Sequence, residues 1–118
     1  MAKAQPRRGE IWFVDFDPSI GAEIQKSRPA LVVGLDAIGR LPLKLVVPIT
    51  DWKAQYAGFP WFVHLPATEA NGLFKDSGAD TFQTKSVSLA RFVEYVGTVT
   101  AAEMDEVASA IALCVGAP

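Results

Sequence analysis

The sequence predicts a mainly β domain: a small, twisted, barrel-like sheet with one α-helix packed on it at the C-terminal end. Three observations carry this. Short runs rich in β-branched and aromatic residues recur between Gly, Pro and Asn turn signals. Only the last stretch repeats its apolar residues at helical spacing. At 118 residues, half of them apolar, the chain fits one domain with a real core and is too short for two.

Glu10-Ile11-Trp12-Phe13-Val14-Asp15-Phe16 reads as the first strand, with Trp12, Val14 and Phe16 on one face. Asp17-Pro18-Ser19-Ile20-Gly21 is a turn cluster, and residues 17–27 read as a surface loop. Residues 28–35 form a second strand, apolar on both faces after Arg28 and therefore central. Gly39 and Pro42 bracket a turn before a third strand, Leu43 to Ile49. In it Leu43, Leu45, Val47 and Ile49 share one face, and Lys44, Val46 and Thr50 the other. A loop from Asp51 to Phe59 precedes a strand near Trp61 to Leu65. Asn71-Gly72 and Ser77-Gly78 read as turns, and residues 79–84 and 92–97 as further strands.

Thr100 and Glu103 form a capping box, in which each side chain satisfies a free amide at the helix start. Met104, Val107, Ala108, Ile111, Cys114 and Val115 then supply one apolar face. Residues 1–8 are expected to be a flexible tail, with Arg7 and Arg8 solvated. No internal repeat or linker interrupts the chain.

No apolar run approaches the ~18 residues a membrane span needs. Basic residues open the chain without an apolar stretch behind them, so no secretory signal is expected. The single cysteine, Cys114, excludes an internal disulfide and a cysteine-based zinc site. It is placed in the core, and a reducing cytoplasm is the natural compartment. Net charge is −2, yet all 11 basic residues fall at or before Arg91, alongside 9 acids. From Phe92 onward there are 4 acids and no base, so a basic surface remains available in the first part.

The chemistry concentrates at two strand ends. In Lys26-Ser27-Arg28-Pro29 the proline holds Arg28 in extended backbone, and in Val47-Pro48-Ile49-Thr50 a hydroxyl closes an apolar strand. Rigid ends of this kind can aim a guanidinium and a hydroxyl at one point, which suits phosphate chemistry without a metal. Trp52, Tyr56 and Phe59 interleave with Lys53, and aromatics beside a base suit stacking of unpaired RNA bases. A loop anchored by its own aromatics, or a dimer contact, fits the same pattern. Lys26, Gln83, Lys85 and Ser86 are further candidates to line an RNA groove. His64 lies mid-strand between Val63 and Leu65 and reads as a surface histidine.

The order Gly9-Glu10-Ile11-Trp12, Asp15-Phe16-Asp17-Pro18, Gly21, Arg28-Pro29 and Val47-Pro48-Ile49-Thr50 resembles the MazF/PemK family of toxin endoribonucleases. Lys75-Asp76-Ser77, Gln83-Thr84-Lys85-Ser86-Val87, Arg91 and Gly97-Thr98-Val99 agree, so the likeness runs from about Arg8 to Gly116. The resemblance implies a strongly twisted, antiparallel SH3-like barrel with a C-terminal helix, a homodimer, and sequence-selective cleavage of single-stranded RNA without metal or cofactor. It implies 2′-hydroxyl attack, leaving a 2′,3′-cyclic phosphate and a 5′-hydroxyl. Arg28 and Thr50 match the family's catalytic arginine and threonine or serine. Glu23, in the loop that shapes the groove, is the candidate base or orienting group for Arg28. An acidic antitoxin tail is the implied partner, competing with RNA for that groove. This chain has Ser88 where many members carry an aspartate, so its cut site cannot be borrowed from them.

Two other functions fit the same fold. One is a toxin that inhibits DNA gyrase through its C-terminal helix. Leu113-Cys114-Val115-Gly116-Ala117-Pro118 offers no aromatic anchor for that. The other is a small barrel that binds RNA without cutting it.

Overall fold

The computed structural model describes residues 5–118, and the part of the expected tail at residues 1–4 lies outside them. Seven strands precede one helix: β1 (Glu10–Asp15), β2 (Ser27–Val32), β3 (Leu43–Asp51), β4 (Phe62–Leu65), β5 (Ser77–Asp80), β6 (Lys85–Ser88), β7 (Phe92–Thr98) and α1 (Ala101–Cys114). All pairings are antiparallel, in the order β4-β5-β3-β2-β1-β7. The long β3 shares one edge between two strands: Leu43–Val46 pair with β6 and Ile49–Asp51 with β5. Among the described residues no ladder joins β4 to β7, so the twisted, barrel-like sheet stays open.

Side chains alternate across a strand, and β2 uses both of its faces. Ala30 and Val32 join Val14, Phe16, Val46, Val87 and Phe92 in one core cluster. Leu31 and Val33 join Ile11, Val47, Ile49, Val63, Leu65 and Ala79 in a second. The helix closes the second cluster with Met104, Val107 and Ala110. Each large side chain buried this way contributes about 1.5–3 kcal/mol relative to exposure. The capping box forms as expected: Glu103 N donates to Thr100 Oγ1 at 3.1 Å, and Thr100 N to Glu103 Oε1 at 2.9 Å. The apolar face ends sooner than its spacing predicts. Val115 lies past the last helical residue and is exposed, and Cys114 is half-buried at the rim, 3.5 Å from Thr81 Oγ1.

Three expectations are corrected. Ser77-Gly78 is not a turn but the start of β5. A Cβ at Gly78 would stand 3.0 Å from the Trp52 ring, so the glycine is there to let the ring lie on the strand. The segment 79–84 is strand only to Asp80. There the Asp80 carboxylate accepts from Phe82 N at 3.2 Å and caps a short 3-10 turn, Thr81–Gln83, from which β6 emerges unforeseen. Arg8 is not a solvated tail. Its backbone N–H donates to Asp36 Oδ1 at 2.9 Å, its guanidinium to the Val33 carbonyl, and the preceding Pro6 is buried.

The Asn71-Gly72 turn holds, and for a strong reason. Buried Asn71 accepts from Thr68 N and Leu73 N and donates to the Pro66 carbonyl. At Gly72, with φ +69°, a Cβ would fall 2.2 Å from the Val96 carbonyl oxygen of β7. That approach locks the turn to the sheet.

Candidate active site

The β2–β3 ladder pairs Ala30 with Pro48, Leu31 with Val47 and Val32 with Val46. Continued by two residues, this register sets Arg28 across from Thr50. Arg28 Nη1 lies 3.5 Å from Thr50 Oγ1, at the outer limit of a hydrogen bond. Arg28 Nε donates to the Gln25 carbonyl at 2.8 Å. Two contacts hold the guanidinium at defined points and leave the rest of its five N–H donors for a ligand. Both side chains are half-buried. The sequence pointed to these two residues, and the fold brings them together.

Residues opposite one another on neighbouring strands share a face. Thr50 pairs with Gly78 of β5, and Gly78 with His64 of β4. Arg28, Thr50, Gly78 and His64 therefore form one row across four strands. His64 stands two strand spacings from Thr50, about 10 Å, with the Trp52 ring filling the gap over Gly78. The rings of Trp52 and His64 stack at 4.3 Å, and His64 Nε2 lies 3.4 Å from Asp76 Oδ2. His64 is a surface residue, as expected. Its link to Asp76 was not legible, because Asp76 reaches it only through the β4–β5 ladder.

The other aromatics pile on each other. Tyr56 stacks on Phe62 at 3.9 Å and Phe59 on Trp61 at 4.9 Å. Lys53 is exposed beside them, just before a 3-10 turn, Ala54–Gly58.

The loop joining β1 to β2 borders the site from the other side. Arg91 donates to the carbonyls of Asp15 and Asp17, and Asp17 Oδ1 accepts from Lys26 N at 3.0 Å. Lys26 closes the loop in left-handed backbone, φ 68°, with its exposed side chain two residues before Arg28. Glu23 Oε1 accepts from Ile20 N at 2.8 Å, so its carboxylate organises the loop itself. The acceptor that orients Arg28 is the Gln25 carbonyl rather than Glu23.

Gln83 reaches the same loop: Ile24 N donates to its Oε1 at 2.5 Å, and its Nε2 donates to Asp80 Oδ2 at 3.2 Å. Glu23, Ile24, Gln83 and exposed Lys85 line a cleft of about 240 Å³. Ser86 does not share it. Opposite Leu45 on β3, Ser86 lines an apolar recess of about 280 Å³ with Leu35, Ile38 and Leu41. Ser88 uses its hydroxyl to accept from Ala90 N at 3.1 Å, capping the turn that leads to Arg91.

Burial pushes the Asp80 carboxyl above its ordinary value of 3.8, against the opposing pull of hydrogen bonds from Gln83 and the Phe82 N–H. The folded protein thus holds the Asp80 proton more tightly than the unfolded chain does. The stability this provides is full below the unfolded value and is lost as pH rises through the folded one. Asp80→Asn removes this contribution. Its melting temperature, relative to the unsubstituted protein, should rise as the buffer goes from about pH 3 to about pH 7. Parallel melting curves at all pH values would contradict this.

Residues 7–115 match the family described as PemK-like, MazF-like toxins of type II toxin-antitoxin systems, and the chain belongs to that family. It is 38% identical over 113 residues to Endoribonuclease MazF9 of Mycobacterium tuberculosis, covering 91% of this chain and 93% of the relative. The fold matches the crystal structure of MazF from Deinococcus radiodurans with a TM-score of 0.79 and 26% identity, over 94% of this chain and 96% of that one. It also matches a MazE–MazF crystal structure from the same organism, with a TM-score of 0.71 and 23% identity, over 96% and 97% of the two chains. Among the described residues, no helix is long and apolar enough to cross a membrane.

Proposed function

We propose that this protein is the toxin endoribonuclease of a type II toxin-antitoxin system, cleaving single-stranded RNA at Arg28 and Thr50. The observation that carries the reading is the 3.5 Å approach of Arg28 Nη1 to Thr50 Oγ1, with the arginine held from behind by Gln25. Family membership and the 38% identity to an endoribonuclease support it.

In the reaction, the substrate's 2′-oxygen attacks the adjacent phosphorus. A P–O2′ bond forms, the P–O5′ bond breaks, and the products are a 2′,3′-cyclic phosphate and a 5′-hydroxyl. Negative charge builds on the nonbridging oxygens, where Arg28 gives parallel charge-assisted hydrogen bonds and Thr50 a further one. The 5′-oxygen needs a proton as it leaves. Arg28 is suited to supply it and poorly suited to act as the base. Glu23 is the candidate to take the 2′-hydroxyl proton: its Oε1 accepts the Ile20 N–H, and a carboxylate has a second oxygen with which to accept it.

Lys26, Lys53 and Lys85 are exposed cations for the RNA backbone. Trp52 and Tyr56, already packed as rigid rings, offer faces for unpaired bases, and Ser86 sits farther along β6. The reading places a cognate acidic antitoxin over the same groove. It pairs the chain with a second copy. It acts in the cytoplasm.

The test is purified protein on a long, end-labelled single-stranded RNA with EDTA present. Discrete fragments with 5′-hydroxyl ends are expected. Intact RNA at high protein excess would overturn the reading and favour gyrase inhibition or RNA binding alone. Thr50→Ala should lower kcat about 100-fold, the usual loss for one donor to a developing oxyanion, with KM little changed. A rate within twofold of the unsubstituted protein would remove Thr50 from the chemistry.

A further inference from the structure

The hydrogen bonds around Arg28 do not stop at Gln25. Gln25 supplies the carbonyl that receives Arg28 Nε, and the residue before it, Ile24, gives its N–H to Gln83 Oε1. Gln83 Nε2 donates to Asp80 Oδ2, and Asp80 Oδ1 accepts from the Phe82 N–H. Asp80 stands on β5 two residues from Gly78, the ladder partner of Thr50. Both members of the Arg28–Thr50 pair are thus referenced to one short segment, residues 78–83. Thr50 is fixed by the β3–β5 ladder, and Arg28 by way of Gln83 and the Ile24–Gln25 backbone.

Among the described residues, the rest of the loop has no equivalent brace. Arg91 and Asp17 secure its ends. Glu23 bonds only within it, to Ile20. Ile24 also packs its side chain against the core cluster that holds Val14 and Phe16. Its backbone N–H, however, is held by a side chain 59 residues away in sequence.

We propose that Gln83 is a positioning residue for Arg28, with Asp80 fixing the orientation of the Gln83 amide. The inference rests on Arg28 being catalytic. Its consequence is that Gln83 acts on the rate of the chemical step before any RNA is bound. Both polar atoms of its amide are committed within the protein, which separates it from Lys26, Lys53 and Lys85. Misplacing a catalytic group by about 1 Å costs on the order of 100-fold in rate, so losing this brace should appear in kcat.

The experiment compares Gln83→Met, which keeps length and removes both hydrogen bonds, with Arg28→Ala and the unsubstituted protein. Gln83→Met should lower kcat about 10- to 100-fold with KM within about threefold. In RNA-free protein, the Ile24 amide should exchange its hydrogen at least about tenfold faster. A second pair of variants keeps the test open if Gln83→Met folds poorly. Gln83→Glu sets two carboxylates against each other at position 80, and adding Asp80→Asn restores a donor and an acceptor with roles exchanged. The double variant should recover most of the kcat lost in Gln83→Glu, a rescue that a residue acting only on RNA would not give.

Unchanged Ile24 exchange with normal kcat, or a rise in KM alone, would overturn the inference. If Arg28→Ala cleaves normally, the functional reading itself falls. If Arg28→Ala is inactive while Gln83→Met is unimpaired, only the positioning role falls.

Discussion

Arg28→Ala should abolish RNA cleavage, lowering kcat by about 10³-fold or more, while the protein stays folded. A single neutral donor to a developing oxyanion is worth about 10²–10³ in rate. Arg28 brings a formal charge and several donors, and charge-assisted hydrogen bonds are about twice as strong as neutral ones. Stability should change little. The side chain is half-buried, and its hydrogen bonds in the free protein are one at 2.8 Å to Gln25 and one at 3.5 Å to Thr50. Such a loss costs about 1 kcal/mol. Arg28→Lys separates charge from geometry, because an ammonium offers a point charge without the planar fork. It should stay at least about tenfold below the unsubstituted protein. The measurement is single-turnover cleavage of a labelled oligonucleotide in EDTA beside a thermal melt of each variant. A fully active, folded Arg28→Ala protein would remove the centre of the mechanism.

The residues that carry the proposed reaction were legible because their signals are local. Arg28 stands before Pro29, Thr50 ends an apolar run, and the Thr100–Glu103 box announces the helix within four residues. What the sequence could not show is the ladder that sets Arg28 opposite Thr50, since register depends on strands far apart in the chain. The start of β5 was hidden for a related reason. Ser77 and Gly78 look like a turn, but the smallness of Gly78 answers to the Trp52 ring lying above it, a tertiary demand that overrides local propensity. Arg8 read as a tail because its acceptors, Asp36 and the Val33 carbonyl, lie at the far end of β2. Gln83 was marked for the RNA groove, yet only the folded structure reveals that Ile24 and Asp80 already occupy its amide. Glu23 is the converse case: the loop was placed correctly, and the carboxylate turns to Ile20.

Leu31→Ala should cost about 3–4 kcal/mol of stability and leave the chemistry of each folded molecule intact. Leu31 is fully buried at the centre of β2, between Ile11 of β1 and Val47 of β3. It belongs to the cluster that α1 closes with Met104 and Val107. Leucine-to-alanine changes in such sites cost about 2–5 kcal/mol, the upper part where neighbours cannot collapse into the space. Here collapse is resisted from two directions, by ladders on both edges of β2 and by a helix set by its capping box. For a domain of this size, the melting temperature should fall by about 10–20 °C. Arg28 lies on the opposite face, three residues away on the same strand, so kcat per folded molecule at low temperature should remain within about twofold. Equilibrium urea unfolding and cleavage assays on one preparation test both halves. A loss under about 1 kcal/mol would mean that the helix does not seal this core. A large fall in kcat without unfolding would mean that the two faces of β2 are coupled, and that the helix side of the sheet helps hold the arginine in place.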